Sequence, residues 1–305
     1  MADRKPVVVV GSINMDLVAR TPRIALAGET LTGTGFETTP GGKGANQAVA
    51  AARLGYPVAM VGMVGEDVFG QALLDNLGNA GVDTGAVARI SGPSGVAQIQ
   101  VAEGGQNSII VVPGANGRVK PAYIYQHERL IRSAGMVLCQ LELPIETVAS
   151  ALELCAAARV LVMLDPAPAA TLPESVGPRV TWFTPNESEA ALYVGNVLTV
   201  AETAKHLLAK GVRGVVLKRG SEGAYVSAAG SNDAWVPAFA AKAIDTVGAG
   251  DCFNGAFAVA LLEEHDPRRA AKFASAAAAI SVTRRGAQAS MPSRSEVDEF
   301  LAQQH

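Results

Sequence analysis

With 305 residues, 49% of them hydrophobic and 17% charged, the chain is long enough to bury a sizeable core and too apolar for wholesale disorder. A formal net charge of -3 provides no basic field for nucleic acid, and no stretch of ~20 uninterrupted apolar residues predicts a membrane span. The apolar run near the start ends at Gly11 after four valines, too short for a signal peptide. Cys139, Cys155 and Cys252 lie far apart, form no CxxC pair and read as small apolar residues in a reducing compartment, so a soluble cytoplasmic protein is expected.

Taken in chain order, VVVVG (7–11) predicts a buried strand and GANQAVAAARLG (44–55) a helix closed by Gly55. VAMVGMVG (58–65) is the next strand, followed by helices over 66–80 and 121–133. Strands over 136–141, 160–165, 180–185 and 215–220 alternate with helices over 145–158 and 199–210, and helices over 251–264 and 267–283 close the pattern. Continuous apolar strands between helices predict a three-layer α/β/α fold with a mainly parallel central sheet. Residues 15–37 and 95–112 break that rhythm by alternating apolar and polar positions around turns, the second as a hairpin turning near 103–106. Both read as strands of a small β-sheet lid inserted into one α/β domain spanning 1–305. Apolar residues on both faces of that lid predict a homodimer formed through it.

Several glycine motifs are decoys. Gly33-Thr34-Gly35 lacks the third glycine of a dinucleotide fingerprint and falls in the expected lid. Gly42-Lys43-Gly44 carries the GK of a P-loop without its spacing or the Ser/Thr that follows. Four scattered histidines have no zinc-ligand spacing. What remains is PGGKGANQ (40–47), whose glycines would expose backbone N–H groups before a helix and bring Lys43 and Asn46 to its first turn. A plain strand–helix turn with a surface lysine is the alternative. Asn14 and Asp16, two residues apart after the first strand, suit the vicinal hydroxyls of a polyol or, equally, an Asx-turn. Glu142 after the 136–141 strand is either another sugar contact or a solvated acid.

DTVGAGDCFNG (245–255) is the most pointed stretch. Gly248, Ala249 and Gly250 can turn successive amides toward an anion at a helix N-terminus, and Asp251 at the rim can take a proton from a hydroxyl nucleophile. That arrangement suits phosphoryl transfer. An Asp N-cap is the alternative.

Together GSINMD (11–16), PGGKGANQAVAAARLG (40–55), VPGAN (112–116), QLELP (140–144), DPAPA (165–169), TPNESEA (184–190), GSEGAYV (220–226), DTVGAGDCFNGA (245–256) and RRGAQASMP (284–292) closely resemble the family of ribokinase and B-type phosphofructokinase sugar kinases, over almost the whole chain. The resemblance implies ATP-dependent phosphorylation of a sugar, and the GSINMD, GGKGANQ and Glu142 set points to D-ribose at its 5-hydroxyl. It makes Asp251 the general base and the amides of Gly248, Ala249 and Gly250 the anion hole. Asn14, Asp16, Gly42, Lys43, Asn46 and Glu142 match its sugar positions. Asn186, Lys218, Gly220, Ser221, Gly223, Gly250 and Ser275 fall at its ATP site. Asp245, Val247, Ser281, Arg284, Gly286 and Ser290 match a loop pair that holds a monovalent cation, usually K⁺, largely through carbonyls. Mg²⁺ would arrive on the ATP phosphates. Lys218-Arg219 stand where a hydroxyl or aliphatic pair is more usual, and Cys252 where threonine is frequent. The alternatives are a fructokinase or nucleoside kinase of the same family, and a non-catalytic sugar- or nucleotide-binding regulator, against which the retained Asp251 speaks.

Overall fold

Every side chain of the first strand, β1 (Val7–Val10), is buried. Val7 and Val9 join the core on one side of the sheet, Val8 and Val10 the core on the other. Helices must therefore cover both faces, and each valine contributes roughly 1.5–3 kcal/mol by leaving water.

The computed structural model describes residues 4–195, 198–230 and 232–304. After β1 come β2 (Asn14–Thr21), β3 (Gly35–Gly41), α1 (Lys43–Arg53), β4 (Val58–Gly65), α2 (Val68–Asn79) and β5 (Val82–Ile90). Next are β6 (Gly95–Ala102), β7 (Asn107–Val112), α3 (Pro121–Gln126), α4 (Glu128–Ser133), β8 (Met136–Cys139), α5 (Ile145–Ala158) and β9 (Leu161–Leu164). The remainder is β10 (Trp182–Phe183), α6 (Glu187–Val194), α7 (Val200–Ala209), β11 (Gly214–Lys218), β12 (Gly223–Ala228), β13 (Ala234–Pro237), α8 (Ala249–Glu264), α9 (Pro267–Ser281) and α10 (Arg294–Ala302).

Among the described residues nine strands form the main sheet, in the order β13-β12-β11-β10-β9-β8-β1-β4-β5. Pairing is parallel from β11 to β5, and β12 alone runs against the rest, antiparallel to both β11 and β13. α1, α8 and α9 pack on one face, with α3, α5 and α7 on the other. Gly255 lets α8 cross close to α1, because a methyl there would stand 2.7 Å from the Ala50 Cβ. The second sheet has the order β3-β2-β6-β7. β2 leaves the end of β1 after three residues and β3 runs through Gly42 into α1, so this sheet stands directly over the carboxyl end of the main one. All three cysteines are free and buried.

The expected α/β/α layers and lid are both present. Most element ends differ by one or two residues. The 121–133 helix divides at His127, and the 180–185 strand contracts to two residues. In the lid, strands occupy both ends of the 15–37 region, and 22–34 is loop. The hairpin turns at 103–106 as expected, with Ala102 N donating to Gln106 O. β5, α6, β12, β13 and α10 were not anticipated. β5 is an edge strand with only Val82 and Ala86 buried, so it lacks the apolar run of a central strand.

Candidate active site

Three glycines bring the residues of β2 and the first turn of α1 together, each by removing a different obstacle. A methyl at Gly41 would fall 2.2 Å from an Asp16 carboxylate oxygen. Gly42 has φ 88, and its methyl would stand 2.7 Å from the Asn14 amide nitrogen. At Gly44 the obstacle is Ser12 N at 2.6 Å and the Gly11 backbone at 2.7 Å. Approaches this close leave no room for a side chain, so glycine is required, and they seat the first turn of α1 against β1 and β2.

Asn14 and Asp16 lie buried on β2, two residues apart and so on one face. The Asn14 side chain accepts from Asn116 Nδ2 at 2.7 Å, and Asn116 also bonds the Ile13 backbone. Glu142 is no loosely solvated acid: its Oε2 accepts from Lys43 N at 3.1 Å and from the Ser12 hydroxyl. Burial, then the charges of Glu142 and Asp251, raise the Asp16 carboxyl to about 7 despite the opposing pull of Lys43. For Lys43, burial works against the charge, but Asp251, Asp165 and Glu142 hold its ammonium above the ordinary lysine range.

Gly248, at φ 74, precedes the first turn of α8, and its added methyl would meet Ala287 at 2.9 Å. Asp251 is in that turn without capping it. Its Oδ2 accepts from Asn46 Nδ2 at 2.9 Å and its Oδ1 from Gln47 Nε2 at 3.1 Å. Burial pushes the Asp251 carboxyl up, Lys43 pulls it down, Asp165 adds to the rise, and the two amides partly offset it. The Ala249 amide closes the turn onto Thr246 O at 3.2 Å, so it is committed in this conformation. The amides of Gly250 and Asp251, by their place in the first turn, have no intrahelical acceptor.

On the other side of Asp251, Lys218 ends β11 and its Nζ lies 3.0 Å from Asp165 Oδ1. A methyl on Gly250 would stand 3.6 Å from that ammonium, so Lys218 reaches the start of α8. Asn186 bridges Lys218 through its backbone and caps α6 in a reciprocal capping box with Glu189. Gly220 at φ 52 and Gly223 at φ 115 shape the turn from β11 to β12, with Ser221 exposed on it. Ser275 is buried on α9.

The loops around 245 and 286 are stitched together. Ile244 N and Asp245 N donate to Val282 O, while the two Asp245 oxygens accept from Val247 N at 3.0 Å and Gly286 N at 2.9 Å. The Arg284 guanidinium pairs with Glu296, and the Ser281 and Ser290 hydroxyls donate to the carbonyls of Ala278 and Ala287. Carbonyl oxygens, hydroxyl lone pairs and the Asp245 carboxylate are thus the donors this loop pair has to offer, an all-oxygen set that suits a large monovalent cation.

Sequence reasoning left out Ser12, Gln47, Asn116, Asp165 and Gln288, which hold the others in place. Gln288 Nε2 donates to Asn46 Oδ1 at 3.1 Å, orienting that amide toward Asp251. Asp165 closes β9, where the rule that ligands bind beyond strand carboxyl ends could have singled it out.

A doubly covered parallel sheet with a lid over its carboxyl end, and a buried carboxylate between a cluster of polar side chains and a lysine-edged helix N-terminus, form the arrangement expected of a carbohydrate kinase. Residues 4–294 match the family model described as pfkB family carbohydrate kinase, and the chain belongs to that family. It is 45% identical over 295 residues to a ribokinase of Bacillus subtilis, covering 96% of this chain and 98% of that one. Ribokinase from Thermotoga maritima superposes with a TM-score of 0.90 at 40% identity, over 97% of this chain and 99% of that one. Arabidopsis thaliana ribokinase complexed with ribose and ATP gives a TM-score of 0.91 at 35% identity, over 97% and 98% of the two chains.

Proposed function

We propose that this carbohydrate kinase transfers the γ-phosphoryl group of ATP to the 5-hydroxyl of D-ribose, giving D-ribose 5-phosphate and ADP. The observation that carries the reading is the placement of Asp251, buried between two donated amides, with Asn14, Asp16, Lys43 and Glu142 on one side and Lys218 with Gly250 on the other. Its support is the likeness to ribokinases, one of them complexed with ribose and ATP. Asn14, Asp16, Gly42, Lys43, Asn46 and Glu142 hold the sugar hydroxyls. Asp251 takes the 5-hydroxyl proton as the new O–P bond forms and the bond to the ADP oxygen breaks. Of the Gly248, Ala249 and Gly250 amides assigned to the anion hole, that of Gly250 is foremost, and that of Ala249 would first have to leave Thr246 O. Asn186, Lys218, Gly220, Ser221, Gly223 and Ser275 line the nucleotide side.

Among the described residues no group of three His, Cys, Asp or Glu could hold a metal ion. Mg²⁺ would be carried in on the nucleotide, where it neutralises phosphate charge and keeps much of its water. The carbonyls and hydroxyls around Asp245, Val247, Ser281, Arg284, Gly286 and Ser290 would hold K⁺, ordering the start of α8. A cytoplasmic setting is in keeping with three free, buried thiols.

The test is ADP release from Mg-ATP with D-ribose, 2-deoxyribose, D-fructose or adenosine, each with and without K⁺. Ribose-dependent turnover that rises with K⁺ is expected. Preference for another acceptor overturns the substrate, and no acceptor-dependent ADP release at all overturns the kinase reading.

Ribose affinity should depend on pH through Asp16. Sugar hydroxyls donate best to the ionised carboxylate, which dominates above its raised value of about 7. The ribose Kd should therefore rise about tenfold per unit as pH falls below that point and level off above it. Calorimetric titration between pH 5.5 and 8.5 checks this, and a flat profile would remove Asp16 from the sugar contacts.

The dimer proposal rests on the edges of the lid. Ile109, Ile110, Val111 and Val112 of β7 are all exposed, and Phe36 on β3 is 68% exposed. An apolar edge strand is a template for pairing with another copy. Light scattering should give twice the 31.3 kDa chain mass, and Ile110→Lys with Val112→Lys should give the monomer. A monomeric parent chain would refute the interface.

A further inference from the structure

Asp165 is buried at the end of β9, and its two oxygens serve opposite sides of the site. Oδ1 accepts from Lys218 Nζ at 3.0 Å, and Oδ2 accepts from Gln47 Nε2 at 3.0 Å. The same Gln47 nitrogen donates to Asp251 Oδ1 at 3.1 Å, while the Gln47 oxygen accepts from Gln140 Nε2 at 2.7 Å. Gln140 thereby fixes which way the Gln47 amide faces. The contacts Lys218, Asp165, Gln47 and Asp251 run without a break from the lysine beside Gly250 to the carboxylate on α8.

Stability alone does not explain this arrangement. The Lys218 and Asp165 side chains are only 13% and 3% exposed, and an ion pair so removed from water recovers little beyond its desolvation cost. Its geometric consequence is larger. Lys218 stands on β11, Asp165 directly after β9, Gln47 on α1 and Asp251 on α8, so four separate parts of the chain are tied through one carboxylate and one amide.

We propose that Asp165 is a positioning residue for phosphoryl transfer, holding the Lys218 ammonium beside Gly250 and the Gln47 amide on Asp251 as a single unit. The inference rests on the kinase reading above, which assigns one end of the relay to phosphate and the other to the proton acceptor. Both partners of Asp165 are donors. Asparagine at that position offers one acceptor oxygen and presents an NH₂ to the second donor, so one of the two links must break.

The experiment compares Asp165→Asn, Gln47→Met and the double variant with the parent chain, using Mg-ATP and whichever acceptor the parent turns over fastest. Asp165→Asn should lower kcat by about 10- to 100-fold, the scale of a small misplacement of reacting groups. The acceptor KM should stay within about twofold, since the sugar contacts are intact. The double variant should lose no more than the worse single one, because both break one relay. A kcat within twofold of the parent for Asp165→Asn, a loss confined to acceptor KM, or losses that multiply independently would each overturn the proposal. If Asp165→Asn does not fold, Gln47→Met decides the matter, because it leaves the ion pair in place: the relay requires its kcat to fall, and an unchanged kcat refutes it. A parent chain that prefers another sugar corrects the substrate and leaves the relay readable on that sugar. No turnover by the parent with any acceptor overturns both readings.

Discussion

Asp251→Asn is expected to lower kcat by about 10²- to 10⁴-fold, the usual contribution of a positioned general base, with ribose binding kept within a few-fold. The substitution changes almost no volume. Asparagine can still accept from Asn46 or Gln47, so α8 and the sugar-side residues should keep their places. What disappears is the acceptor for the 5-hydroxyl proton. The raised position of the Asp251 carboxyl, caused first by burial, opposed by Lys43 and reinforced by Asp165, favours that role. Single-turnover phosphoryl transfer measured beside calorimetric ribose binding separates chemistry from affinity. A kcat within tenfold of the parent would assign the proton to another group. Loss of ribose binding together with turnover would make Asp251 chiefly a sugar ligand.

Gly44→Ala should damage both the fold and the site. The added methyl would lie 2.6 Å from Ser12 N and 2.7 Å from two Gly11 backbone atoms, none of which can rotate away. α1 must shift from the end of β1, at roughly 1–3 kcal/mol for overpacking. Alanine's better helix propensity returns at most about 1 kcal/mol. A melting temperature lower by up to roughly 5 °C follows for the net loss in a chain of 305 residues. The first turn of α1 carries Lys43, Asn46 and Gln47, so the ribose KM should rise and kcat fall by about tenfold or more for a movement near 1 Å. Gly78→Ala is the control: that helical glycine has open space around it, and the change should leave stability equal or slightly higher. Equal melting temperatures for the two variants would mean that the close approach at Gly44 does not constrain the fold.

Much of this protein was legible before any coordinates. The strands of the central sheet announced themselves as apolar runs because burial on both faces demands it, as in Val7–Val10. The turns at Gly41-Gly42 and Gly248 were legible because left-handed backbone and close approach have one inexpensive solution, glycine. These signals are local, carried within a few residues. The partners of Asp251 could not be read that way. Asn46 and Gln47 lie more than 200 positions earlier in the chain and meet it only because Gly255 lets α8 settle onto α1. Asp165 passed as part of a motif until β9 and β11 set it against Lys218 and α1 brought Gln47 to its other oxygen. The commitment of the Ala249 amide to Thr246 O is likewise a matter of the folded turn. Edge elements such as β5 and β13 escaped because an edge strand has fewer neighbours to bury and so writes a weaker pattern. Local periodicity and turn chemistry belong to the sequence, whereas the direction in which a buried polar side chain spends its hydrogen bonds is decided by which distant elements pack beside it.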